Sequence, residues 1–141
     1  MSSPFSVNFD HEFQYRSVPG DDSSRIFPAI SVGLIGPVGS VDLVPVIDTG
    51  ATYSLFSGLR ARLIGLDLAA GEKINLVSVS GSMPARLHQV TLEIFGSLIP
   101  CEVAFSEFPI RRELLGRHDL FSRVRFAFCE GLSVGYFHPQ P

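Results

Sequence analysis

Thirteen glycines and ten prolines punctuate this chain of 141 residues, and the runs between them are short. Those runs are rich in Val, Ile and Phe, side chains that suit a pleated, half-buried surface. The pattern predicts an all-β domain. With 45% hydrophobic residues the chain can build a real core, and its length fits one domain. There is no fixed-period repeat and no low-complexity segment.

Phe5–Phe9 alternates and reads as a strand, with Phe13–Val18 expected to pair with it. Pro19-Gly20-Asp21-Asp22-Ser23-Ser24 is turn-rich and predicts a mobile loop. Ile26–Ile35 and Val41–Ile47 predict a hairpin around Gly36-Pro37-Val38-Gly39. Ser57–Gly65 predicts a helix, capped by Ser57, stopped by Gly65, with Leu59, Leu63 and Ile64 on one face. Ile74–Val79 and Leu87–Phe95 predict a long hairpin with a glycine near its tip. In its second arm Val90, Leu92 and Ile94 face one way, and Gln89, Thr91 and Glu93 the other. Ile99–Phe105 is a further strand and Arg117–Ser122 a short helix. Arg123–Cys129 and Leu132–Phe137 are the last strands.

Several function classes are disfavoured. A net charge of −3 argues against a general nucleic-acid binder, because phosphate contacts need a basic surface. Arg111, Arg112, Arg117, Arg123 and Arg125 cluster, and read as a solvated or structural patch. Phe27–Ile47 carries only Asp42 as a charge, but Pro28, Gly33, Gly36, Pro37, Gly39 and Pro45 break it too often for a membrane-spanning helix. Met1-Ser2-Ser3-Pro4-Phe5 lacks the start of a signal peptide, so a cytoplasmic location is expected. Cys101 and Cys129 have no zinc-site spacing and read as reduced, buried thiols. His11, His88, His118 and His138 are scattered, Asp10-His11-Glu12 is at most a weak metal binder, and no phosphate-cradling loop occurs. No metal or cofactor is expected.

The unusual residue is Asp48. The apolar run Val44-Pro45-Val46-Ile47 delivers it, and Gly50 lets the backbone turn so that amide groups can point back at the carboxylate. Asp-Thr-Gly alone weighs evenly between an acid–base catalyst and a turn whose carboxylate caps backbone.

Val-Ile-Asp-Thr-Gly-Ala-Thr-Tyr-Ser-Leu (46–55), followed by Leu-Leu-Gly-Arg-His-Asp-Leu-Phe (114–121), resembles the retropepsin-like aspartic proteases in their bacterial and cellular branch. The resemblance covers roughly Ile26 to Phe128. It implies a closed, single-lobe β-barrel with one or two short helices, spanning residues 26–141 behind an N-terminal extension of residues 1–25. It implies a catalytic role for Asp48 and a bracing role for the Thr49 hydroxyl across a dimer. Gly50 would close the turn and face the substrate backbone, and Ala51 would line the site floor. Leu114, Leu115 and Gly116 match the apolar-apolar-Gly segment that packs beside the loop. Val79, Ser80, Gly81 and Ser82 match the flap tip. Thr52 stands where many viral members carry an acid that pairs with the arginine after the late glycine. Arg117 is present without an evident acidic partner.

This reaction class uses two carboxylates: one takes a proton from water, the other donates to the scissile carbonyl. The chain has a single Asp-Thr-Gly. Asp119 reads as a helix-end or surface residue and Asp42 as solvent-facing. The second acid is therefore expected from a second copy of Asp48, in a homodimer acting on peptides. Strands at both termini, Phe5–Phe9 and Leu132–Phe137, are candidates for the dimer sheet or ordinary edges. The alternative is a non-proteolytic peptide-binding or dimerisation module on the same fold.

Overall fold

The structure is a computed structural model that describes residues 6–140. In chain order its strands are β1 (His11–Gln14), β2 (Val32–Ile35), β3 (Ser40–Leu43), β4 (Val46–Ile47) and β5 (Leu55–Ser57). Helix α1 (Gly58–Leu63) follows. Then come β6 (Glu72–Ser78), β7 (Gly81–Ile94), β8 (Ser97–Ser106), β9 (Leu114–Leu115), β10 (Val124–Cys129) and β11 (Val134–Pro139). As the pattern predicts, most residues in regular structure are in strands; most elements are short, but β7 with 14 residues and β8 with 10 run on through Pro84 and Pro100.

The larger sheet runs β3-β2-β7-β8-β5-β9-β4, with β6 paired to β7. The segment that leads into β2 meets β4, the strand at the other end of the sheet. Ile47 N–H donates to Pro28 O at 2.8 Å, and Ile30 N–H donates to Pro45 O at 3.3 Å. A three-stranded sheet, β1-β11-β10, completes the molecule. Val32, Leu34, Leu92, Ile94, Val103, Phe105, Leu115 and Leu120 fill the main core. Each such side chain contributes about 1.5–3 kcal/mol on burial.

Strand β7 serves two cores. Val90, Leu92 and Ile94 face the main one, as the alternation predicts, whereas Ala85 and Leu87 are buried in a second apolar cluster with Leu55 and Ala104. Successive side chains alternate across a strand, so even-numbered and odd-numbered positions cover opposite faces.

Several expectations need correction. The two arms of the Gly36–Gly39 hairpin are shorter than predicted, and the second is split at Val44-Pro45 into β3 and β4. Pro45 has no N–H to give to a ladder. Helix α1 is capped as expected: Ser57 Oγ accepts from Leu59 N–H at 3.3 Å. Its buried side, however, is Gly58, Ala61 and Ile64, while Leu59 and Leu63 are 67% and 65% exposed. Arg117–Ser122 is a run of turns and no helix, with Asp119 in the left-handed region at φ +60°. Such a conformation ends any right-handed helix there. Phe5 lies outside the described residues, and residues 6–9 form no strand. β1 pairs with β11 instead, Phe13 opposite Gly135. Leu132 sits in a 3₁₀ turn ahead of β11.

Both cysteines are unpaired; Cys101 is buried and Cys129 half-buried. Burial pushes the Cys101 thiol up to about 12. Among the described residues no helix is long and apolar enough to cross a membrane.

Candidate active site

Asp48 lies at the C-terminal end of β4, and β9 holds it there. β4 and β9 run parallel, with Val46 opposite Leu114 and Ile47 opposite Leu115. The ladder extends one residue further, as Asp48 N–H donates to Leu115 O at 2.9 Å. The chain then turns: Ala51 N–H donates to Asp48 O at 3.1 Å, and Gly50 N–H donates to Asp48 Oδ1 at 2.9 Å. The backbone therefore points an amide at the carboxylate, as the glycine suggests. Asp48 is half-buried; Thr49 and Gly50 are exposed.

The late motif closes on this loop. Arg117 N–H donates to Ala51 O at 3.0 Å and His118 N–H to Thr52 O at 2.6 Å. Gly116 N–H donates to Ser54 Oγ at 3.0 Å, and Ser54 is completely buried. A Cβ on Gly116 would stand 2.3 Å from the carbonyl carbon and oxygen of Tyr53. Only glycine fits there. The structure thus brings together Asp48, Thr49, Gly50, Ala51, Leu114, Leu115, Gly116 and the backbone of Arg117. The Arg117 side chain is exposed and has no ion pair among the described residues.

The hairpin tip is a tight turn at Val79-Ser80, with Ser78 opposite Gly81 and Val77 opposite Ser82. Gly81 adopts φ +126°, a conformation that favours glycine. Hydrogen bonds at the tip are internal: Ser78 Oγ lies 3.0 Å from Ser80 Oγ and 3.3 Å from Gly81 O. Val79 is fully exposed. The hairpin reaches the Asp48 region lower down. Ile74, Leu76 and Met83 pack on the second apolar cluster, which Tyr53 and Leu114 also border. No spacing in the sequence marks that cluster, because it joins positions far apart in the chain.

Neither Asp119 nor Asp42 serves Asp48. Asp119 Oδ2 accepts from Glu102 N–H at 2.7 Å and its Oδ1 from Arg123 at 3.2 Å, while Asp42 lies exposed on β3. Among the described residues no second carboxylate is bonded to Asp48. Two features escaped the sequence reading. Ser54 is a buried hydroxyl whose partner is remote in the chain. Glu113 accepts from Ser57 N–H at 3.1 Å and pairs with Arg60 at 3.2 Å just before β9.

No family model and no curated protein matches the sequence significantly. Solved structures do. A retropepsin-like aspartic protease from Rickettsia conorii superimposes with a TM-score of 0.61 at 17% identity, over 91% of this chain and 98% of that one. EIAV protease complexed with the inhibitor HBY-793 gives 0.53 at 21% identity, over 68% and 86%. Likeness at such identities speaks for architecture: the chain has a retropepsin-like fold.

Proposed function

We propose that this protein is an aspartic endopeptidase, active as a homodimer in which each subunit supplies one Asp48. One observation carries the reading. β4 delivers a carboxylate to the end of an apolar strand, a neighbouring amide is aimed at it, and a second strand pins its backbone, all within a retropepsin-like fold. Water between two such carboxylates loses a proton to the ionised one and attacks a peptide carbonyl. The neutral one donates a proton to the carbonyl oxygen. Two acids that close share one proton, so they titrate as a unit. The flap hairpin would close over the peptide and exclude water.

A second copy is required because one protomer offers one such acid. An apolar trough beside Thr49, lined by Val7, Phe9, Phe121, Phe126 and Phe128, supports a partner of the same chain at this face. The alternative, a peptide-binding module without proteolysis, is favoured by Thr52 and by the unpaired Arg117, which leave one substrate anchor of the viral enzymes unfilled.

A peptide-library digest at acidic and neutral pH, with an aspartic-protease inhibitor as control, separates the two. Inhibitor-sensitive cleavage by the wild type is expected. In Asp48→Asn it should drop by at least about three orders of magnitude, with fold and dimer intact. Cleavage retained in Asp48→Asn overturns the mechanism. A wild-type dimer that cleaves nothing at either pH leaves the binding module.

A further inference from the structure

We propose that Asp21 and Arg112 form a brace that positions Asp48, so that a loop in the N-terminal segment sets the geometry of the acid. The inference rests on Asp48 being the reactive group. The loop Pro19–Ser24 has the composition of a mobile turn, yet it is fastened. The Asp21 side chain is only 4% exposed, and its Oδ2 accepts from Arg112 Nε at 2.6 Å. Arg111 approaches the other oxygen at 3.8 Å, and Asp22 N–H donates to it at 2.9 Å. On its other side the Arg112 guanidinium lies 4.3 Å from the centre of the Phe27 ring. Phe27 is itself fixed by two backbone hydrogen bonds with Arg16, at 3.0 and 2.9 Å. A guanidinium held between a buried carboxylate and an aromatic face has little freedom.

What Arg112 holds leads directly to the site. The next residue, Glu113, accepts Val46 N–H on its carbonyl at 2.9 Å, and its carboxylate takes Ser57 N–H and Arg60. Two residues further on, Leu115 O accepts Asp48 N–H. The path from Asp21 to Asp48 is therefore one ion pair, the chain from Arg112 to Leu115, and one backbone hydrogen bond. Leu114 and Leu115 are held by packing and by the β4 ladder, but the residues just before them are less enclosed. A cavity of about 260 Å³ lies against these residues, bordered by Val18, Pro19, Val44, Val46, Arg60 and Ile110. On that side the contacts of residues 111–113 are polar: Arg112 with Asp21, and Glu113 with Ser57 and Arg60. The Arg112 side chain, then the Asp22 amide, hold the Asp21 carboxyl below its ordinary range, so the pair stays charged in weak acid.

Hydrogen exchange on the full chain tests this without any substrate. Asp21→Asn keeps the shape and removes the charge. It should speed exchange about tenfold in residues 46–51 and 112–117 and leave β10 and β11 unchanged. Asp21→Glu should restore most of the protection. Faster exchange confined to residues 16–27 overturns the brace. Should Asp21→Asn loosen the whole chain, Asp21→Glu decides alone: normal protection of β10 and β11 with partial loss at 46–51 supports the brace, and uniform loss overturns it. Where peptide cleavage is measurable, Asp21→Asn should lower kcat about tenfold with KM within about twofold, since misplacing a catalytic group costs rate. A change in KM alone overturns the brace. A wild type that cleaves nothing defeats the protease reading, and the exchange result still stands.

Discussion

Gly116 and Ser54 show how single residues set the spacing of the site. The late segment can lie against the Asp48 loop only because Gly116 has no side chain, as a Cβ there would meet the Tyr53 carbonyl at 2.3 Å. Its amide then reaches the buried Ser54 hydroxyl at 3.0 Å. Gly116→Ala should therefore force the two segments apart. The expected cost is about 1–3 kcal/mol of stability, read from urea midpoints. Cleavage should fall more than stability does, since Leu115, next to Gly116, anchors Asp48. A variant with an unchanged midpoint would show that the loop yields without cost. Asp48, Gly50 and Gly116 were legible in the sequence because each belongs to a contiguous motif. Ser54 was not, because no local pattern ties it to a residue 62 positions away.

Among the elements, α1 shows where local reasoning succeeds and where it fails. Capping is a short-range matter, so Ser57 and the left-handed Gly65 at φ +87° were readable. Of the expected face only Ile64 is buried. Hydrophobicity points to Leu59 and Leu63, but the helix docks through its small residues. A Cβ on Gly58 would stand 2.4 Å from Ser106 O, at the end of β8. Close backbone approach decides the orientation, and the two leucines are left outside. Leu63→Ser should thus change stability by no more than about 0.5 kcal/mol, while Ile64→Ala should cost about 2–5 kcal/mol. Thermal or urea unfolding of the two variants checks this, and equal losses would refute the assignment of faces. The late turns have a related cause. Leu120 is buried, but the Asp119 carboxylate bonds Glu102 N–H from the left-handed region, and that tertiary bond prevails over the helical pattern.

At the scale of the whole molecule, the order strand, acid loop, glycine-tipped hairpin and late apolar segment was legible, and with it the fold. Sheet membership of the N-terminal segment was not, because β1 finds β11 across more than a hundred residues. That pairing bears on assembly. It places β11 between β1 and β10, so both edges of β11 are paired; among the described residues β1 keeps one edge unpaired, and so does β10. The β10 edge borders the trough that includes Thr49, and Phe128 on it is 39% exposed. If two Asp48 side chains meet on a two-fold axis, the trough lies close to that axis and is covered by the second copy. Activity should then follow dimer concentration. Below the dissociation constant, cleavage per protomer should fall in proportion to dilution. Phe128→Asp should give monomers by light scattering at concentrations where the wild type is dimeric, with the Tm of wild type diluted below its dissociation constant. It should abolish cleavage without touching Asp48. Specific activity that stays constant on dilution below that constant, or a fully active monomeric Phe128→Asp, would mean that one protomer carries both acids.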